Sequence, residues 1–412
     1  MSRDAVTFEN DDGLLAIAGH RPLLFDHGIV LIVGMLMTIG VVMVYSAAVS
    51  LDQPVFDLSN WHRTPLRQGA FAALGLLTMV IVAQLDYRTL SNDTLTGRRL
   101  AWLVWLMSAV LLVVVLIPGV GSTQLGATRW LRVSLGPIDA SFQPGEFAKV
   151  GMIIWLAAVL TRGGLELGTW TGGFRSISIA SAVLIGLTAI EDYGTGALMG
   201  VVFLTLLWQA RARWWQVLMI ITVGAVLGAG FIYYKWYRVQ RLLTWFDKDA
   251  DASGAAYQVN QALMAIGSGG WWGVGLGAGV QKHGYLPQAH NDFILAIICE
   301  ELGAVGGMFV ALLFLMLLIR GWWIAANAPD ALGRLLASGL TTLICLQAAF
   351  NIAVVTNSVP TKGISLPFVS AGGSGVLFLG VAAGLLASVG GASLRDSHER
   401  WLERRANQTL AR

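Results

Sequence analysis

About ten stretches of this chain are apolar over most of the roughly 20 residues that a helix needs to cross a bilayer. They fall at 26–48, 68–84, 100–118, 146–161, 175–190, 195–210, 214–234, 293–319, 334–356 and 371–390. Three of them (146–161, 175–190 and 195–210) are short for a span and suit tilted, paired or re-entrant helices. The runs are continuous and do not alternate, which argues against a transmembrane barrel. Composition agrees: 56% of the 412 residues are hydrophobic and 12% are charged, against about 25% charged in soluble domains. The expected fold class is an all-α integral membrane protein with about ten transmembrane helices.

Lys and Arg set the direction. With the N-terminus inside, Arg98, Arg99, Arg211, Arg213, Arg320 and Arg334 fall on the inner side, as do the arginines beyond residue 390. Both termini are then cytoplasmic, with tails at 1–25 and 391–412 around a membrane domain at 26–390. The polar start, MSRDAVTFENDDGLLAIAGHRP, lacks the pattern of a cleavable signal, so the first span is expected to act as an uncleaved one. The connection 235–292 becomes a large extracytoplasmic loop between helices 7 and 8. It is far longer than the usual loop of about 4–6 residues, so it is expected to hold structure. A net charge of +3 is too small to suggest nucleic acid. Cys299 and Cys345 lie in apolar runs and read as buried thiols. The six histidines show no HExxH spacing.

The basic residues that break the inside bias gather in three outer connections, 118–145, 235–292 and 357–370. YYKWYRVQRLLTWF, at 233–246, has the pattern of an amphipathic helix in the membrane surface. Its Lys235, Arg238 and Arg241 could bind lipid headgroups, or a phosphate on a lipid-linked substrate. The glycine-dense 265–290 could be a flexible turn or a close backbone approach to a ligand. In HNDFILAIICEELG, Asn291 or Asp292 could cap a helix, and Asp292 could act in catalysis, or do both. Glu300 and Glu301 lie deeper, and acids inside a membrane are functional candidates or interhelical pairs. Glu146 and Lys149, three apart on one helix face, could pair together or line a polar cavity. Glu191 and Asp192 sit at another outer helix junction. Lys362, Ser370 and Ser374 lie in VPTKGISLPFVSAGGSG, whose prolines and glycines imply a broken or re-entrant segment. Together these residues imply one outward polar site for a phosphorylated, lipid-borne ligand that is processed or transported.

Several ordered motifs add a resemblance: GATRWLRV, SFQPGEFAKV, YRVQRLLTWFDKDAD, YQVNQALMAIGSGGWWGVGLG, VQKHGYLPQAHNDFILAIICEELG and PTKGISLPFVSAGGS. From about Arg67 to Gly384 the chain resembles the SEDS family (shape, elongation, division and sporulation). PTKG and VQK…YLP are similar to its division-type members. The resemblance implies a ten-span fold and peptidoglycan glycosyltransferase activity on lipid II. It makes Asp292 the catalytic acid of the large outer loop. It also carries over Arg67 with Gln68, Gly126-Ala127-x-Arg129-Trp130, and Gln143-Pro144-x-Glu146-x-Ala148-Lys149. Leu125, Gly145, Glu191 and Ala371 depart from the usual pattern, which bears on loop geometry and leaves Asp292 in place.

On this reading Asp292 is a general base for the acceptor hydroxyl, a role commonly contributing about 10²–10⁴-fold. Arg67, Arg129, Lys149, Lys282 and Lys362 are candidates to stabilise the diphosphate leaving group. The substrate-binding set is these cations with Gln68, Trp130, Glu146, Ser370 and Ser374. A divalent cation, Mg or Mn, could bridge the diphosphate with few protein ligands; no metal residues are assigned and no organic cofactor is expected. Expected partners are lipid II and the growing glycan strand, a class B penicillin-binding protein, other division proteins and membrane lipids. Small residues in VLFLGVAAGLLASVGGAS could pack on such a partner or internally. A lipid II flippase is the alternative from another class, and an inactive scaffold is a third.

Overall fold

The structure is a computed structural model. It describes residues 25–48, 65–91, 94–124, 127–135, 138–163, 167–170, 173–234, 255–283, 285–287 and 289–410, with a few isolated positions besides. The tail at 1–24 and almost all of 235–254, which takes in most of the amphipathic segment 233–246 with Lys235, Arg238 and Arg241, lie outside the described residues.

Each expected span is a helix. In chain order these are α1 (His27–Ala48), α2 (Pro65–Gln84), α3 (Leu95–Leu116), α4 (Pro144–Leu160), α5 (Phe174–Glu191), α6 (Tyr193–Gln209) and α7 (Trp214–Tyr234). After α8 (Ala255–Gly269), inside the long connection, come α9 (Ile294–Asn327), α10 (Ala331–Val355) and α11 (Gly373–Leu410). Among the described residues eight are long and apolar enough to cross a membrane, and α6 is a shorter apolar helix. Burial explains how α4 can be short as well as polar at its start. It is buried on nearly all sides, as expected of a helix that is apolar all round. The outer helices instead present apolar side chains outward, such as Leu103 and Leu106 on α3 and Val226 and Leu227 on α7.

The connection 118–145 departs from the all-helical expectation. It forms a three-stranded antiparallel sheet, β1 (Gly121–Gln124), β2 (Ala127–Leu135) and β3 (Ile138–Phe142), in the order β1-β2-β3. The β-branched and aromatic residues of ATRWLRVSL favour such a strand. The small residues of α11 pack internally. A Cβ on Gly380 would lie 2.5 Å from the carbonyl oxygen of Gly75 on α2, and one on Gly384 would lie 2.6 Å from that of Met79.

α9 is broken at Gly303, whose φ of 74° and ψ of −177° are non-helical and essentially open only to glycine. The break frees backbone groups that must find partners in an apolar setting. The chain after α8 supplies them. Val274 and Gly275 donate their N–H groups to the carbonyls of Glu300 and Glu301, and Ala304 and Val305 donate to those of Gly270 and Trp271. The glycine-rich segment therefore does not form a loose surface turn. It descends about 14 Å along α9, nine residues at 1.5 Å each, and is spliced into the helix. Two carboxylates fasten the return. Glu300 accepts from the N–H groups of Val280 and Gln281, and Glu301 from that of Gly277, from Ser46 of α1 and from Lys282.

The two ends of the bundle are closed differently. At the end assigned inside, Asp26 pairs with Arg320 at 2.7 Å, and Tyr87 and Arg88 both bond Asp330. At the opposite end the starts of α2, α4, α6, α9 and α11 converge, and several of the polar residues singled out in the sequence meet there.

Candidate functional site

Asp292 stands just before α9. The helix is capped at Phe293 with no side-chain cap bond, so the capping role is not what holds this carboxylate. Its backbone is fixed instead. Ala371 N–H donates to the His290 carbonyl (3.0 Å), Ser370 Oγ to that of Asn291 (2.7 Å), and Asn351 Nδ2 to that of Asp292 itself (2.7 Å). The side chain is left against Gly363, where a Cβ would come within 2.7 Å of Oδ2. Burial raises the Asp292 carboxyl to about 6, the negative charge of Asp192 adds to the rise, and Arg129 opposes it. Burial also lowers the neighbouring His290, favouring its neutral form.

Asp192 organises the other side. It is 6% exposed and caps α6 by accepting from the N–H groups of Gly194 and Thr195. Arg129 Nη1 lies 3.4 Å from its Oδ2, and Lys362 Nζ lies 3.9 Å from its Oδ1 and 4.6 Å over the Tyr193 ring. Arg129 also donates to the Glu191 carbonyl, and Thr128 N–H to the Glu191 carboxylate. The sheet is thereby pinned to the α5–α6 junction. Beside it lies a small open cleft, lined by Arg129, Gln143, Thr188, Glu191, Asp192 and Thr195 among others. Arg129 and Lys362 thus share a partly solvated mouth with Asp192, close to Asp292, whose carboxyl is raised by burial.

The remaining sequence-predicted residues fall into three places. Gln68, Ser370 and Ser374 brace backbone: Gln68 Nε2 donates to the Ser370 carbonyl, Ser370 Oγ accepts from Leu366 N–H, and Ser374 Oγ accepts from Gln143 N–H. Glu146 and Lys149 pair with each other at 2.8 Å beneath the mouth, and Lys149 also bonds Gln347 Oε1 at 2.7 Å. Arg67 lies over the Phe71 ring, and Trp130 is half-buried in β2 opposite Ser122. Lys282 is set apart from Arg129 and Lys362. Its ammonium is 2.8 Å from Glu301, 2.8 Å from the Gly277 carbonyl and 3.1 Å from Ser46, with 3% of the side chain exposed. It neutralises a buried acid, which the sequence could not show because its partner lies on another segment. Sequence reasoning noted Asp192 without giving it a role, and missed Gln347 and Asn351. Two amides four apart in an apolar span were the available signal.

Fold and site together define a multi-pass membrane protein with one polar mouth at one end of its helical bundle. The chain belongs to the FtsW/RodA/SpoVE family, described as cell cycle proteins, whose profile matches residues 27–393. It is 36% identical over 362 residues to stage V sporulation protein E of Bacillus subtilis, covering 88% of this chain and 95% of that one. It is 36% identical over 370 residues to the probable peptidoglycan glycosyltransferase FtsW of Geobacter metallireducens, covering 89% and 94%. One solved structure, described as showing structural coordination of polymerization and crosslinking by a peptidoglycan synthase complex, superposes with a TM-score of 0.69 at 26% identity. That match covers 89% of this chain and 98% of the other. The crystal structure of the Thermus thermophilus rod shape determining protein RodA superposes with a TM-score of 0.62 at 25% identity, over 89% and 97%.

Proposed function

We propose that this chain is a peptidoglycan glycosyltransferase that polymerises lipid II on the outer face of the cytoplasmic membrane during septal wall synthesis. The observation that carries the reading is Asp292, a carboxylate raised to about 6 and set in the same mouth as Asp192, Arg129 and Lys362. A base works best when its pKa lies near the working pH. Asp292 takes the proton from the acceptor sugar hydroxyl as that oxygen attacks the anomeric carbon of the donor. The bond to the lipid diphosphate breaks in the same displacement, inverting the centre. Charge grows on the departing diphosphate, and Arg129 and Lys362 are the cations placed to stabilise it.

A divalent cation would be carried by the diphosphate itself. Among the described residues no group of three or more His, Cys, Asp or Glu could hold one, and Asp192 is already engaged. The proposed partner is a class B penicillin-binding protein. The similarity to a chain of a synthase complex that couples polymerization to crosslinking supports it. Cytoplasmic termini follow from the arginine bias. A flippase would need polar access from both ends, and the ion pairs that tie the opposite end together argue against that. The test is incubation of the purified chain with labelled lipid II, with and without a candidate transpeptidase partner. Long glycan strands support the proposal. Lipid II moved across vesicles without polymer would replace it with transport.

A further inference from the structure

α10 carries two buried amides on one face, Gln347 and Asn351, at 2% and 1% exposure. Their spacing of four stacks them along the helix. Asn351 Nδ2 donates to the Asp292 carbonyl at 2.7 Å and to the Ile364 carbonyl at 2.8 Å. One turn earlier, Gln347 Nε2 donates to the Ser365 carbonyl at 3.0 Å, while its Oε1 accepts from Lys149. The segment 361–366 has no regular secondary structure, although Ile364 and Leu366 are buried. It lacks a ladder to satisfy its carbonyls, and the two amides supply one. Two acceptors around Asn351 Nδ2 also fix which way its amide points. Asn351 Oδ1 is buried without a partner, an expense that a leucine would avoid. The amide is therefore kept for its two donated bonds.

We propose that Asn351, braced by Gln347, is a positioning residue. It ties the chain at Asp292 to the chain at Ile364 and so sets where the Asp292 carboxylate stands relative to Lys362 and Asp192. The inference rests on the reading of Asp292 as the base. Gly363 lies between the tied points, and its hydrogen is all that the spacing admits: a Cβ would sit 2.7 Å from Asp292 Oδ2. The charged groups acting on Asp292 are Asp192 and Arg129 across the mouth, and Lys362, on the tied segment, pairs with Asp192. If the tie is lost, the carboxylate moves toward water.

The test measures lipid II polymerisation by purified Asn351→Leu and Gly363→Ala from about pH 5 to 9, at limiting and saturating substrate, beside Asp292→Ala. The expected result is a fall in kcat of about 10²-fold with little change in KM; the acid limb moves to lower pH in Asn351→Leu as Asp292 becomes better hydrated, and to higher pH in Gly363→Ala, whose methyl shields Oδ2 from water. A limb that stays in place in Asn351→Leu overturns the proposal, even when the rate falls, because a structural role lowers amplitude alone. Gly363→Ala alters the same spacing from the exposed side, so it decides the matter by the same criterion when Asn351→Leu does not fold. Wild-type rates in Asp292→Ala would instead overturn the base reading, a separate failure.

Discussion

Lys282 Nζ lies 2.8 Å from Glu301 Oε1, with both side chains almost wholly shut from solvent. This pair fastens the returning strand of the glycine-rich segment to α9, and Ser46 ties it to α1. Removing one partner strands a buried charge. Lys282→Met should destabilise the protein by roughly 3–5 kcal/mol, and adding Glu301→Met should restore much of that. Thermal unfolding of the detergent-purified variants checks this. Equal losses in the single and double variants would count against the pair.

The break in α9 depends on one residue. A Cβ on Gly303 would meet the Trp271 carbonyl oxygen at 2.2 Å, and its backbone conformation is strained for other residues by roughly 1–3 kcal/mol. Gly303→Ala should lower the melting temperature and open the 270–283 segment to protease. Unchanged proteolysis would mean the splice is not what holds that segment.

The acids and bases around Asp292 give two opposite shifts. Asp192 raises the Asp292 carboxyl and Arg129 lowers it. Asp192→Asn keeps the helix cap but removes the charge, so the acid limb of the pH–rate profile should move to lower pH. Arg129→Gln should move it to higher pH and weaken diphosphate stabilisation. Shifts in the same direction in both variants would contradict the assignment.

A raised carboxyl also bears on stability. With a folded value of about 6 and an ordinary value near 3.9, Asp292 is protonated in both states at low pH and adds nothing. As pH rises between those values, ionisation is harder in the folded state, and stability falls. Asp292→Asn should therefore be more stable than wild type above about pH 6, on the order of 1–3 kcal/mol. The advantage should fade toward about pH 4. Melting curves across that window test the sign.

The spans were readable because length and hydropathy are set by the bilayer, and even short α4 and α6 were found. Asp292 stood out as an acid at the edge of an apolar run, and the base role proposed for it came with the resemblance. The splice at Gly303 was not readable, since glycine density says that a turn is possible and not where its backbone bonds. Lys282 looked like a free cation because Glu301 was read as a separate feature. Asn351 was passed over because a single amide in a span looks like any interhelical bond until its two acceptors are seen. Each miss concerns which distant groups meet, and local pattern does not carry that information.

The most direct test is strand formation from labelled lipid II by purified Asp292→Ala, with folding and partner binding matched to wild type. The account predicts that polymer falls to the level of a no-enzyme control while lipid II still binds. Glycan strands of normal length and amount from that variant would contradict it.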